Sequence, residues 1–235
     1  MHIPDGYLSP QTCAIAYGAS IPILVIAAKK VSKKLDSKTV PLLGIFSAFS
    51  FIIMMFNVPV PGGTTAHAIG GTLMAIILGP WEAVLGVSVA LFIQAVFFGD
   101  GGILAYGANV LNMAIVLPLT GYFVYKVIAG NADIHSKRQW IAAAIGSYIG
   151  INIAALSAAI EFGIQPLFFH TANGTPLYCP YGLSQAIPAM MFAHLTVGGF
   201  VEAIVTAGVV IFMQKSMPEI LTFQTKGASH EEEFI

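Results

Sequence analysis

Charge is what this sequence lacks most. Only 9% of its 235 residues are Asp, Glu, Lys or Arg, against about 25% in an ordinary soluble domain, which excludes a typical soluble enzyme. Ten basic and eleven acidic residues leave a net charge of -1, so no global basic field exists to hold nucleic acid and no acidic tract marks a disordered tail. Cysteine is equally scarce. Cys13 and Cys179 are too few and too far apart for a disulfide framework or a C-x-x-C metal knuckle, and whether they pair stays open. Three catalytic signatures are missing as well. The absence of G-x-x-x-x-G-K-[ST] speaks against ATP hydrolysis by that route, and the absence of H-E-x-x-H and G-x-S-x-G against a membrane protease or esterase.

Apolar residues fill the space that charge leaves, at 57% of the chain. Crossing roughly 30 Å of hydrocarbon takes about 20 mostly apolar residues. Seven runs bounded by charge or by Gly/Pro clusters satisfy this, near 11–28, 40–57, 66–79, 81–98, 103–126, 139–161 and 185–213. They predict an all-α integral membrane protein, a seven-helix bundle forming one domain over residues 1–235. The third run is short. It reads as a half-buried or re-entrant helix, tolerated only where protein or a polar cavity satisfies its backbone. No signal peptide is expected, because Met1 to Pro10 holds neither a basic residue nor an apolar core. No fixed-period repeat, low-complexity tract or long linker divides the chain.

The cations predict orientation, since short cytoplasmic loops carry the excess of Lys and Arg. Lys29, Lys30, Lys33, Lys34 and Lys38 lie between runs one and two, Lys126, Lys137 and Arg138 flank the loop between five and six, and Lys215 and Lys226 follow run seven. All fall on one side. Seven crossings then put the C-terminal tail with Glu231, Glu232 and Glu233 in the cytoplasm and Met1 outside. Segment 57–66, the turn around Asp100 and the cation-free loop 161–185 share the side of Met1.

The chain opens Met1-His2-Ile3-Pro4-Asp5-Gly6. A histidine in second place offers a metal three nitrogens: the terminal amine, its own amide nitrogen once deprotonated, and the imidazole. These close a five-membered and a six-membered chelate ring in one plane. A fourth nitrogen completes a square, which suits Ni(II) or Cu(II) better than tetrahedral zinc or oxygen-seeking Mg(II) and Ca(II). The amine is a plausible ligand near neutral pH, with an ordinary pKa of about 7.7 to 8.0, and the bulk of His2 disfavours removal of Met1. Taken alone, His2 also reads as an exposed residue of a frayed terminus.

In Pro59-Val60-Pro61-Gly62-Gly63-Thr64-Thr65-Ala66-His67, two prolines and two glycines impose a non-helical lead into the third run. His67 then faces the compartment of Met1, although a lone histidine at a helix start is more often a structural hydrogen-bonding residue. Of the others, His135 and His230 read as solvated and His170 as an outer-loop residue able to help capture metal. His194 and Glu202 lie eight residues apart in the seventh run, about 80° and 12 Å along a helix, so both cannot ligate one ion. They read as packing or coupling groups. Asp100, in the Gly99-Asp100-Gly101-Gly102 turn, reads either as a group behind the outer site or as a cap for the next helix. Asn109 and Asn112 share a helix face and suit interhelical hydrogen bonds.

Taken together, Met1-His2-Ile3-Pro4-Asp5-Gly6-Tyr7-Leu8-Ser9-Pro10, Pro61-Gly62-Gly63-Thr64-Thr65-Ala66-His67 with Gly70-Gly71-Thr72-Leu73 and Leu78-Gly79-Pro80-Trp81, Gln94 through Asp100-Gly101-Gly102, and Asn109 with Asn112-Met113 resemble the CbiM/NikM substrate-binding components of energy-coupling factor transporters for cobalt and nickel. The opening is nearer the nickel branch. The resemblance covers essentially the whole chain and implies a six-helix substrate-component fold plus an N-terminal helix, in the plasma membrane of a prokaryote. It implies Met1, His2 and His67 as the metal site, Ni(II) or Co(II) as cargo, and no catalytic cofactor. It also implies a transmembrane coupling subunit, cytoplasmic ATPase subunits and, in some systems, a further small membrane subunit. Gly44 and Ala48 offer a small-residue face for the coupling subunit or for internal packing. Two other classes compete: a zinc metalloenzyme built on His67, His170 or His194, which needs three converging ligands and a base, and a proton-coupled carrier, which needs several mid-membrane carboxylates where Glu82, Asp100 and Glu161 lie near run ends and only Glu202 is deep.

Overall fold

The computed structural model describes residues 1–34, 36, 39–60 and 64–221. Pro61, Gly62, Gly63, Lys38, Lys226, His230 and the acidic tail lie outside the described residues. Five helices are long and apolar enough to cross a membrane: α1 (Pro10–Ser32), α4 (Pro80–Phe98), α5 (Tyr106–Ala129), α6 (Lys137–Phe168) and α7 (Leu183–Ser216). Between α1 and α4 lie the shorter apolar α2 (Thr39–Met54), a hairpin of β1 (Val58–Val60) and β2 (Thr64–Ala66), and the seven-residue α3 (Gly71–Ile77); α8 (Pro218–Leu221) is a closing turn. The hairpin is antiparallel with Val58 opposite Ala66, an element of β structure that the all-helical expectation omits.

Local chemistry sets the boundaries. Ser9 caps α1 by accepting from the Thr12 amide, and Pro10 takes the first turn, where its missing N–H costs nothing. Pro80 does the same for α4 after Gly79, whose φ of 126° only glycine adopts freely. The third expected crossing is only partly helical. Residues 67–70 are irregular, and α3, buried along its whole length, contributes roughly 10 Å at 1.5 Å per residue. Neighbouring protein satisfies the irregular backbone, as membrane depth requires.

The elements alternate in direction. At one end, Ile3 meets Asn109 at the start of α5 and Ser9 meets Gln165 near the end of α6. At the other, Lys30 of α1 lies over Trp81 at the start of α4, and Gln214 of α7 bonds the Ile134 and Ser136 carbonyls before α6. The N-terminus and the lysines therefore occupy opposite ends of the bundle. Between them, α6 packs through small residues, among them Gly146, Gly150, Ala154 and Ala158. A Cβ on Gly150 would stand 2.7 Å from the Leu117 carbonyl oxygen, so close backbone approach, rather than large apolar side chains, joins α5 to α6. Ile15, Ile45, Phe123 and Ile204 stay exposed, which in a membrane protein places them toward lipid. The chain is a multi-pass membrane protein.

Candidate metal centre

Nine residues without helix of their own lead into α1, and their backbone groups are satisfied from far along the chain. The Ile3 amide donates to Asn109 Oδ1 at 2.8 Å, and its carbonyl accepts from Asn109 Nδ2 at 3.0 Å and from the Gly102 amide at 2.9 Å. Asp5 accepts from the Ile103 and Ala105 amides at 3.1 and 3.0 Å. Asp5 thus caps the turn before α5, the role that the sequence offers as one reading of Asp100. The Tyr7 carbonyl accepts from the Cys179 amide at 3.0 Å, and the Ser9 amide donates to Gln165 Oε1 at 3.0 Å. With Ile3 and Leu8 buried as apolar anchors, the terminus is fixed rather than frayed. Gly102 lies directly against Asp5, where no side chain fits.

His67 lies between β2 and α3. Two residues on, the Ile69 and Gly70 amides donate to the Glu202 carboxylate at 2.6 and 3.0 Å, and Gly70 turns the chain with a φ of 73°. Glu202, buried in α7, thereby holds the segment that presents His67. The two imidazoles are fixed in opposite senses. His67 Nδ1–H donates to its neighbour's carbonyl, Ala68 O, at 3.1 Å, leaving the Nε2 lone pair 3.4 Å from the Met1 amine nitrogen. His2 Nε2–H donates to Gln94 Oε1 at 3.1 Å, leaving Nδ1 with its lone pair, 3.8 Å from Asp100 Oδ1. These tautomers are assigned from the bonds each ring makes. The rings stack with centroids 4.8 Å apart and planes 29° apart.

Burial holds this terminus uncharged. It pushes the Met1 amine down to about 5, against the pull of the Asp100 carboxylate. It pushes His2 down to about 4, helped by the neighbouring amine and opposed by Asp100 and the Gln94 hydrogen bond. Near neutral pH an amine lone pair, His2 Nδ1 and His67 Nε2 are therefore all open, beside the His2 amide nitrogen. Such a set offers a metal two imidazoles and two main-chain nitrogens.

The structure thus brings Met1, His2 and His67 together with Asp100 beside them. Other candidates make bonds of their own. His170 Nδ1 bonds the Thr171 carbonyl at 3.0 Å, and His194 Nδ1 bonds Met190 O at 2.8 Å while its buried Nε2 has no partner. Asn112 donates to Glu161 at 2.8 Å, an interhelical bond between α5 and α6. Among the described residues no three His, Cys, Asp or Glu side chains gather into a metal-holding group, so the ligand set of a zinc enzyme is not assembled. Cys13 and Cys179 are both free and buried. Sequence reasoning missed Asp5, Gln165 and the service of Glu202 to residues 69 and 70. It also missed three widened, π-type turns, at Gln94–Phe98, Val110–Val116 and His194–Gly198, which re-aim Gln94, Asn112 and His194.

Comparison with known proteins agrees with this architecture. The family model described as "Cobalt uptake substrate-specific transmembrane region" matches residues 2–220. A fused nickel transport protein of Rhodobacter capsulatus is 54% identical over 98% of this chain and 67% of its own length. A probable fused nickel transport protein of Lactiplantibacillus plantarum is 50% identical over 100% of this chain and 70% of its own. A crystal structure of a transition metal transporter superposes with a TM-score of 0.87 at 58% identity, covering 96% of this chain and 99% of that one. With a family match along nearly its whole length and relatives at half identity or better, the chain belongs to the CbiM family of substrate-specific transmembrane regions for cobalt uptake.

Proposed function

We propose that the protein is the substrate-specificity component of an energy-coupling factor transporter and captures one divalent transition-metal ion, Ni(II), in a planar cage of four nitrogens. The donors are the Met1 amine, the His2 amide nitrogen after loss of its proton, His2 Nδ1 and His67 Nε2. The carrying observation is the convergence of the terminal amine with two imidazoles whose other ring nitrogens are already occupied, the amine 3.4 Å from His67 Nε2. Neutral imidazole with a fixed tautomer is the state that binds metal. One amide proton lost against a dication leaves a single positive charge, and Asp100, 3.8 Å from His2 Nδ1, stands where it offsets that charge. Planar nitrogen coordination favours nickel, and the two relatives described above are named for nickel transport; Co(II) is the alternative cargo of the same cage.

Orientation follows from the lysines. With the basic end in the cytoplasm, the cage opens outward and the C-terminus lies inside. Partner subunits supply the energy: a transmembrane coupling subunit, cytoplasmic ATPases and, in some systems, a small further membrane subunit. Gly44 and Ala48 of α2 are exposed, a Cβ on Gly44 would meet nothing within 4 Å, and both line an open groove with Val89 and Ile93 of α4, so this small-residue face suits the coupling subunit. The cargo undergoes no covalent change. His2→Ala tests the chelate, because it removes the imidazole and with it the six-membered ring while leaving the terminal amine in place. Calorimetry on the purified, folded variant is expected to show loss of tight Ni(II) binding; unchanged affinity refutes the cage.

A further inference from the structure

A cavity of about 430 Å³ opens beside the cage, with Met1, His2, Thr65, Gln185 and Met190 among its walls and Tyr181 at its edge. Tyr181 is 55% exposed, so the space communicates with the surface. None of its lining residues is Asp, Glu, Lys or Arg. Asp100 is not part of the wall. These two properties, size and lack of charge, bear on the form in which the metal arrives.

An ion with six waters needs roughly 180 Å³ at about 30 Å³ per water. This cavity exceeds that and falls among those that bury small organic ligands, about 300 to 1,000 Å³. A dication held against such a wall needs a countercharge that the wall lacks. A neutral complex does not. Hydroxyl and amide groups from Thr65, Tyr181 and Gln185, set among apolar side chains, match such a complex.

We propose that the vestibule admits the metal as a charge-neutral complex with two small N,O-chelating anions of the α-amino-acid class, and that the cage strips the ion from them. The inference rests on the four-nitrogen cage proposed above. In the exchange, the four protein nitrogens replace two amine nitrogens and two carboxylate oxygens. The His2 amide proton leaves on one departing amino acid, which exits as the neutral zwitterion. The other exits as the anion, and the loaded cage keeps one positive charge beside Asp100. Atoms and charge balance without a further reagent.

The test is the rate of loading, read by stopped-flow absorbance on the full chain in detergent, at fixed total nickel. The probes are nickel chloride in a non-coordinating buffer, nickel bis-glycinate and the anionic nickel nitrilotriacetate complex. Loading from the glycinate is expected to run at least about tenfold faster than its free-ion concentration allows, a difference worth about 1.4 kcal/mol in barrier. The anionic complex is expected to give no such excess. Ala189→Trp, which fills the cavity, is expected to remove most of the glycinate advantage. Rates that follow free Ni(II) alone for all three probes overturn the vestibule while leaving the cage intact. Failure to reach a loaded end point from any probe overturns the cage itself.

Discussion

The two ends of the bundle are held by different chemistry. At the lysine end the contacts span shorter stretches of sequence: Lys30 over Trp81 at 4.7 Å, Arg138 to the Ile128 carbonyl ten residues away, Tyr125 to Gln139 fourteen residues away, and at most Gln214 to the Ile134 carbonyl 80 residues away. At the other end, buried side chains bond backbone groups across the whole chain, Asn109 to Ile3 over 106 residues and Glu202 to Ile69 over 133. The first arrangement suits a surface that meets water or partners. The second fixes a chain terminus, an element that is usually mobile, to the precision that the proposed cage needs, since a donor shell that is loosely held loses affinity.

The contrast can be broken in steps. The largest effect after His2→Ala is expected from His67→Ala, which leaves a three-donor chelate and lowers Ni(II) affinity by about a hundredfold or more in calorimetry. Asn109→Leu comes next. It leaves the Ile3 amide without its partner and the Ile3 carbonyl with the Gly102 amide alone, the unsatisfied amide costing about 1 to 3 kcal/mol, so nickel affinity is expected to fall about ten- to a hundredfold although the residue touches no metal. Unaltered affinity there means that the terminus is not held by this clamp.

Protonation sharpens the same comparison. An amine whose docked value is about 5 against an ordinary 8.0 binds fewer protons docked than free. Docking is therefore favoured progressively as pH rises from 5 to 8 and penalised below. Near pH 7.5 the docked amine and His2 are already neutral, so nickel binding is expected to release about one proton, from the His2 amide, rather than about two. Calorimetry in buffers of different ionisation enthalpy counts them. The smallest effect belongs to the lysine end. Lys30→Ala is expected to cost about 0.5 to 1 kcal/mol of stability through the lost Trp81 contact, with nickel affinity essentially unchanged.

Much of the fold was legible because membranes simplify it. Apolar run length located the long helices, and the cation positions separated the two ends, since both signals are local and additive. The third run misled only in form: residues 67–70 are irregular, and Glu202 satisfies the Ile69 and Gly70 amides, a partner that no window of sequence reveals. The site was half legible. His2 announces itself through chelate ring size, and His67 through its lead-in. Asp5, Gln94 and Gln165 do not, because each acts through one bond to a distant backbone or ring atom. Asp100 was placed near the right group for one of two reasons, its capping role having gone to Asp5. His194 shows the limit of residue type as a guide: it is buried and fixed through Nδ1 like His67, yet no partner meets its Nε2.

The central claim is the geometry of the cage, and the electronic spectrum of the nickel-loaded protein, taken with its magnetism, tests it most directly. Four nitrogens in a plane predict a yellow, diamagnetic centre, the signature of square-planar Ni(II). A pale, paramagnetic centre with six oxygen-rich ligands contradicts it.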